Sequence, residues 1–332
     1  MATPLGSLRR LLLAPSLHSV GFAGRGFPVT PTPATARLEA IPQSVVVGFE
    51  WGIEARGTEE IERRLAMVEP ELRGFAYEGA VMAFTVRDAV RGHRTRELIL
   101  GPGRPHFFLA CIGIGFAMAR LPRPLWRKVM PDLHEIPFHP TMSWLAVDGY
   151  GFDLAYFDTE RWIDRQSRPD PYPWDGHPGY FLRAVDQGIG RALWFIHGGR
   201  CAAVAEAVGR FAGDRRADLW SGVGLAATFA GGATAAELAG LRDTAARAGH
   251  DADLAIGAVF AIKARHHARF VPGQTVTGAA ELTGLGVEEA VDLADRTEVE
   301  RTGTGPVPQY ELWRRNIREH FVSAAVTPSH EE

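Results

Sequence analysis

A short glycine phrase recurs along this chain, and it restricts the possible folds more than any other feature. The phrase is a glycine, any residue, a second small residue and then an apolar helix former. Its first glycine falls at Gly79, Gly113, Gly149, Gly188, Gly222 and Gly257. The spacing of 34 to 39 residues is close to the period of repeat proteins built from paired helices. Because one helix pair cannot bury its apolar face alone, we expect the pairs to stack.

A glycine in the middle of a helix requires a physical reason. It costs about 1 kcal/mol relative to alanine, and a close approach of two helix backbones would offset that cost. A weaker copy of the phrase lies at Gly48 and Gly52. The stretches between the phrases supply the second helix of each pair, most clearly at residues 234–248, where Thr234 and Glu237 form a capping-box signature.

The sequence therefore predicts an all-α fold, a solenoid-like series of helical hairpins with a tetratricopeptide-like period of about 35 residues. Only residues 45–51 could equally form a strand. Further helices are predicted at about 58–70, 76–90, 106–120, 142–157, 180–197, 200–212, 218–230, 253–269, 287–299 and 309–323. The last of these is amphipathic and could seal the end of the stack.

The predicted organisation is one helical domain with two flanking segments. Residues 1–43 form an N-terminal segment with a proline-rich linker at 28–33, residues 44–325 form a single helical-repeat domain, and residues 326–332 form a frayed tail. Three prolines, at positions 28, 31 and 33, oppose regular structure in the linker.

Composition excludes several classes of function. The chain has 332 residues and a net charge of −3, so it lacks the basic footprint of a nucleic-acid-binding protein. The apolar run at 107–119 is shorter than the roughly 18 to 20 residues that span a bilayer. Residues 7–13 have the charge order of a signal peptide, but their apolar core ends at Pro15. Cys111 and Cys201 lack metal or redox spacing, which favours packing roles.

Acidic residues accompany the glycine phrase. Glu78 and Asp148 directly precede its first glycine, and Asp186 lies two positions before it. Unpaired carboxylates are costly to bury among apolar residues. One interpretation is that each carboxylate caps a helix or ties it to an arginine, such as Arg120, Arg191 or Arg183. The other is a polar stripe inside a groove, with catalytic roles for Glu78, Asp148, Asp186 and Arg191.

Aromatic residues are concentrated in the same part of the chain, with 12 of the 32 at positions 144–195. This region also contains a long proline-rich loop at 164–179, and a loop of that length often acts as a lid. We expect a flat apolar pocket covered by this loop. The candidate substrate-binding residues are Tyr150, Phe152, Trp194, Trp220 and His106.

Several long stretches, in order, resemble the UnbL-like family of enediyne biosynthesis proteins. The stretches are 77–80, 101–103 with His106, 112–121, 148–152, 186–195 and 218–226. The resemblance runs from about residue 25 to the terminal helix. The chain departs from the family pattern at Cys111 and Asp153, where histidine is expected, and at residues 274–276.

The resemblance implies a role in enediyne-core biosynthesis, acting on the linear polyene made by an iterative polyketide synthase. The implied partners are a UnbV-like protein and a UnbU-like integral membrane protein.

Alkyne formation is oxidative and requires an electron acceptor, but the sequence shows no cofactor motif and no metal-ligand spacing, so the cofactor is unknown. We therefore expect a subunit of a multi-protein, polyene-modifying enzyme. The alternative is a non-catalytic helical-repeat scaffold or polyene carrier. Either would be cytoplasmic, or held at the membrane surface by a partner.

Overall fold

The described part of the chain folds into helices without a strand. A computed structural model describes residues 15–89, 91–299 and 305–326, of which 324–326 are described for the main chain only. Its α-helices are α1 Leu17–Val20, α2 Pro33–Glu54, α3 Thr58–Leu65, α4 Pro70–Asp88, α5 Arg94–Leu100, α6 Phe107–Met118, α7 Trp144–Phe157, α8 Pro178–Ile196, α9 Cys201–Gly209, α10 Gly213–Ala230, α11 Ala235–Arg247, α12 Asp251–His267, α13 Gly273–Thr283, α14 Val287–Thr297 and α15 Gln309–Val326. Single turns of 3₁₀ or π helix occur at Arg104–His106, Arg123–Lys128, Thr141–Ser143, Glu160–Asp164 and Trp174–Gly176. The all-α prediction is confirmed.

The glycine phrases lie in seven helices that pack side by side in chain order, namely α2, α4, α6, α7, α8, α10 and α12. From α4 onward, the first glycine of a phrase faces the preceding helix of this row, and a second glycine, where present, faces the following one. A Cβ atom added to Gly188 would lie 1.9 Å from the carbonyl oxygen of Asp148, and one added to Gly190 would lie 2.1 Å from that of Leu219. The glycines therefore allow the backbones of neighbouring helices to touch.

The row of helices curves around a common interior. Phe75 in α4 packs edge to face against Phe229 in α10, with 5.5 Å between the ring centres. These helices are four steps apart in the row, and at about 8–10 Å per helix pair an open stack would separate them by roughly 30 Å or more. In the described residues, the row therefore bends far enough to bring α4 and α10 into contact. Hairpin pairing is also incomplete, because only short helical turns lie between α6 and α7 and between α7 and α8.

The start of the helical region differs from the prediction. Helix α2 begins at Pro33 inside the predicted linker, and the Thr32 hydroxyl caps it by accepting a hydrogen bond from the Thr35 amide at 3.1 Å. Proline suits the first position of a helix, where its missing N–H is not needed. Residues 45–51 lie within α2, so the strand alternative is wrong.

Two local predictions agree with the structure. Thr234 and Glu237 form the capping box of α11, with 2.8 Å between the Thr234 amide and the Glu237 carboxylate. In α15, Tyr310, Trp313 and Ile317 are buried, and Trp313 donates a hydrogen bond to the carbonyl oxygen of Ala294 at 2.9 Å. The predicted features at residues 1–14 and 327–332 lie outside the described residues.

Within the described ranges, no single helix combines the length and apolar character that crossing a bilayer requires. The bent pair Arg94–Leu100 and Arg104–Met118, with 96° between its helices, passes the same test by length and composition alone.

The two cysteines are in different surroundings. Cys111 is fully buried and Cys201 is half-buried, and burial raises the pKa of both thiols, to about 12 at Cys201.

Candidate functional site

Three ionisable side chains meet in the interior of the curved row. Glu78 in α4, Asp148 in α7 and Arg191 in α8 are only 3%, 1% and 8% exposed. The Arg191 Nε donates a hydrogen bond to Asp148 Oδ1 at 2.6 Å, and Arg191 Nη2 is also 2.6 Å from this oxygen. The guanidinium lies 5.0 Å from the centre of the Phe152 ring. The structure thus brings together three of the four predicted catalytic residues.

Burial favours the protonated form of Glu78. Burial raises its pKa to about 8, with Arg191 opposing the shift and the negative charge of Asp148 adding to it. Burial also raises the pKa of Asp148, but the charge of Arg191 and its hydrogen bond to this carboxylate both oppose that shift. At Glu78, Arg191 opposes the effect of burial through its charge alone. A protonated Glu78 leaves the cluster with no net charge, as an apolar interior requires.

Two apolar cavities meet at this cluster. Cavity A, of about 70 Å³, and cavity B, of about 40 Å³, share four lining residues, which are Phe75, Glu78, Arg191 and Phe195. The remaining wall of cavity A includes Ile41, Val45, Phe49, Met82, Phe116, Phe152 and Tyr156. That of cavity B includes Leu109, Ile112, Leu145, Leu225, Phe229 and Phe260. Each cavity has room for a few water-sized molecules, so an extended ligand fits only if lining aromatic side chains rotate.

One end of cavity A reaches the surface at an ion pair. Arg120 Nη1 donates to Asp153 Oδ1 at 2.5 Å, and the Arg120 side chain is 40% exposed. Burial raises the pKa of Asp153, against the opposing effect of Arg120. Asp153 occupies the position where the resemblance predicts histidine, so at this end of the cavity an ion pair stands in its place.

A larger cleft, cleft C, lies next to both cavities and has a volume of about 630 Å³. The first turns of α2 and α11 and the turns that follow α8 and α10 contribute to its walls. Phe75 lines cleft C and both cavities, Ile41 is shared with cavity A, and Ala230 is shared with cavity B. The Phe75 side chain therefore separates cleft C from the apolar interior.

Asp186, the fourth predicted catalytic residue, has a different environment. It accepts hydrogen bonds from Arg215, at 2.6 Å from Nη2 and 3.1 Å from Nε, and Arg215 also binds the carbonyl oxygen of Gln166. Asp186 lines neither cavity. It ties α8 to α10, as the first interpretation of the carboxylates proposed, although its partner is not Arg183, which binds Asp218.

Of the predicted substrate-binding residues, only Phe152 lines cavity A or B. Tyr150 packs against Trp126, Trp194 donates a hydrogen bond to the carbonyl oxygen of Gly231 at 2.8 Å, Trp220 is buried in α10, and His106 stacks on Tyr77. Burial lowers the pKa of His106 to about 4. These four side chains have the contacts of packing residues.

The loop at residues 164–179, predicted to act as a lid, does not cover cavity A or cavity B. None of these residues lines cavity A or cavity B. Arg123 donates a hydrogen bond to the Asp170 carbonyl oxygen at 2.8 Å, and the Trp174 indole donates to Ser143 Oγ at 3.3 Å. These bonds hold the loop against the outside of the helices.

The sequence prediction missed four residues around these spaces. Phe75 and Phe195 lie three positions before Glu78 and four after Arg191, so helical spacing could have placed them on the same faces as the charged residues. Arg265 and His197 line cleft C, and no motif signals them. In the described residues, no group of three or more His, Cys, Asp or Glu side chains has a geometry that could hold a metal ion.

Comparison with known proteins gives a family but no activity. A family model described as a protein of unknown function (DUF1702) matches residues 4–321. No curated protein matches the chain. No solved structure matches it either.

Proposed function

This chain belongs to the DUF1702 family of proteins of unknown function, and we propose that it binds an elongated apolar molecule in cavities A and B and exchanges a proton with it through Glu78. The observation that carries this proposal is the place of the Glu78 carboxyl, at the junction of two apolar cavities and beside an arginine–aspartate pair.

The environment of Glu78 suits proton transfer. A pKa of about 8 lies near the usual working pH of an enzyme, where a general acid or base is most effective. The neutral carboxyl can donate its proton to a bound molecule, and the nearby positive charge of Arg191 then stabilises the carboxylate that remains. Asp148 fixes the guanidinium in place through its hydrogen bond with Arg191, which makes Asp148 a positioning residue.

The resemblance to UnbL-like proteins supplies the substrate class, a linear conjugated polyene on the way to an enediyne core. Conversion of one carbon–carbon double bond into a triple bond removes two hydrogens, as two protons and two electrons. The fraction of Glu78 that is ionised near its pKa of about 8 would accept one hydrogen as a proton. The second hydrogen would leave with both electrons, as a hydride equivalent, to an acceptor that a partner supplies. We therefore propose that the chain is a subunit of a polyene-modifying enzyme with UnbV-like and UnbU-like partners.

The carrier alternative also has a specific observation in its favour. The charged residues in the walls of cavities A and B are Glu78 and Arg191, which both cavities share, and the Arg120–Asp153 pair at the surface end of cavity A. Once the lining aromatic side chains rotate to make room, such walls could hold a polyene without chemistry. In a carrier, Glu78 could be replaced without loss of product.

Two measurements test the proposal. Diphenylhexatriene, a conjugated hydrocarbon whose fluorescence rises in apolar surroundings, should bind the purified protein. The affinity of Glu78→Gln for this probe should lie within about threefold of the wild-type affinity, since an amide and a protonated carboxyl have similar size and polarity. Co-expression with the polyketide synthase and both partners should give product with the wild type and with the control Glu50→Gln, whose side chain lines neither cavity.

Glu78→Gln should lose product formation in that co-expression while Glu78→Asp retains part of it. A wild-type protein that does not bind diphenylhexatriene would refute the proposal. Full product formation by Glu78→Gln would refute the role of Glu78 in proton transfer and favour the carrier function.

A further inference from the structure

Arg265, at the wall of cleft C, is a buried cation that contacts no carboxylate among the described residues. The buried cationic side chains in the described ranges are Arg191, Arg215, Lys263, Arg265 and Arg314. Four of them contact carboxylates: Arg191 with Asp148, Arg215 with Asp186, Lys263 with Asp295, and Arg314 with Asp218 and Glu311. Arg265 is 4% exposed, its Nη2 donates to the carbonyl oxygen of Phe229 at 2.7 Å, and its Nε has no hydrogen-bond partner. A buried guanidinium without a carboxylate is costly, so an anion from outside the described chain would complete this position.

His197 provides a second unpartnered polar side chain in the same cleft. Both of its ring nitrogens are buried and have no hydrogen-bond partner. Burial lowers its pKa, with the positive charges of Arg200 and Arg210 adding to the shift. A neutral imidazole still offers one N–H donor, which a ligand oxygen in cleft C could accept.

The other charged groups that line cleft C do not satisfy Arg265. Glu71 is exposed, binds Gln274 at 2.7 Å, and acts on Arg265 only at longer range. Glu237 is held in the capping box of α11. Arg37 and Arg200 are exposed and add positive charge to the rim.

Cleft C also leads to the apolar interior. Phe75 lines the cleft and both cavities. The guanidinium carbon of Arg265 lies 5.7 Å from the centre of the Phe75 ring and 3.7 Å from the centre of the Phe229 ring, which is in the wall of cavity B. A ligand with its anionic head at Arg265 would therefore have its next atoms at Phe75. Rotation of this one side chain would connect the head site to cavities A and B.

We propose that cleft C binds the carboxylate head of a long apolar acid through Arg265 and His197, with the chain of the acid passing Phe75 into cavities A and B. A single unpartnered guanidinium matches the single charge of a carboxylate, as at Arg191 with Asp148 and Arg215 with Asp186. This inference rests on the proposed function, because it assigns the head group of the ligand that cavities A and B would hold.

The test uses trans-parinaric acid, a fluorescent conjugated tetraene acid, and its methyl ester, at a pH where the acid is ionised. The wild type should bind the acid about tenfold or more tightly than the ester, the gain expected from one charge-assisted hydrogen bond in a buried site. Arg265→Gln should weaken binding of the acid by a similar factor and leave the ester within about threefold. Arg200→Gln, a control at the exposed rim of the same cleft, should leave both affinities within about threefold.

The wild-type comparison of acid and ester decides the question even if Arg265→Gln does not fold. Equal affinity for acid and ester would overturn the carboxylate site while leaving the proposed function intact. Binding of neither probe would overturn both. A long-chain alkyl phosphate that binds more tightly than the acid would overturn the assignment of a carboxylate and identify a phosphate site.

Discussion

Replacement of Gly222 by alanine should force two helices of the row apart. Gly222 lies in α10, and a Cβ atom added there would lie 1.9 Å from the carbonyl oxygen of Gln187 and 2.8 Å from the amide nitrogen of Arg191, whereas ordinary contact begins at 3.4 Å. Both clashing atoms belong to the backbone of α8, so no side chain can rotate away. The helices would have to separate locally by about 1.5 Å.

The expected cost follows from two opposing effects. Overpacking in a well-packed core typically costs about 1–3 kcal/mol and sometimes more, and a backbone contact lies at the upper end because it cannot relax by rotamer change. Alanine recovers about 1 kcal/mol of helix propensity. We therefore expect Gly222→Ala to lower the free energy of unfolding by about 2 kcal/mol or more, measured by urea denaturation.

Gly240 offers a matched control for this substitution. It lies inside α11 and is exposed, and a Cβ atom added there would have no neighbouring atom within 4 Å. Gly240→Ala should therefore raise the free energy of unfolding by about 0.5–1 kcal/mol. If both variants were equally stable, or if Gly222→Ala were the more stable, the argument that the phrase glycines permit backbone contact would be refuted.

Three further predictions concern the buried charges. The pKa of Glu78 is about 8 in the folded protein, and 4.5 is its ordinary value, so the folded state binds more protons than the unfolded state between these pH values. The wild type should therefore lose stability relative to Glu78→Gln as pH rises from about 5 to 8, and the difference should level off above pH 8. Urea denaturation of both proteins across this range measures the difference, and parallel curves would contradict the prediction. Asp148→Asn should lower the free energy of unfolding by about 3–5 kcal/mol because it leaves Arg191 buried and unpaired, and a loss below about 1 kcal/mol by the same method would show that the pair is unimportant. Asp218→Asn should destabilise the packing of α15, since Asp218 accepts a hydrogen bond from Arg314 at 2.9 Å. Amide hydrogen exchange should then become faster in α15 before the other helices, and a uniform increase across the chain would contradict this prediction.

Local features of the fold could be predicted from the sequence. The phrase glycines, the capping box at Thr234 and the apolar spacing in α15 are patterns of a few residues, and each describes one helix or its immediate contact. The curvature of the row could not be predicted, because it depends on contacts such as Phe75 with Phe229, which are 154 positions apart in their numbering. Proline-rich composition also misplaced the start of α2, since Pro33 occupies the one helical position that favours it.

The candidate site was predictable to the same extent. The repeat placed Glu78 and Asp148 at equivalent positions on α4 and α7, two helices apart in the row, and the charge of Arg191 acts on both carboxyls. Asp186 lies one position further from its glycine, and a shift of one position turns a side chain by about 100° around the helix, which accounts for its different partner, Arg215. Arg265 gave no signal because what marks it is the lack of a carboxylate partner, which only the three-dimensional structure reveals.

The central claim is that Glu78 keeps its proton at neutral pH inside an apolar cavity. An infrared difference spectrum between the wild type and Glu78→Gln, recorded across a pH titration, measures that proton directly through the C=O stretch of a protonated carboxyl. We predict a band at neutral pH that disappears with a midpoint at about 8. Disappearance of the band near the ordinary value of 4.5, or its absence at neutral pH, would contradict the account.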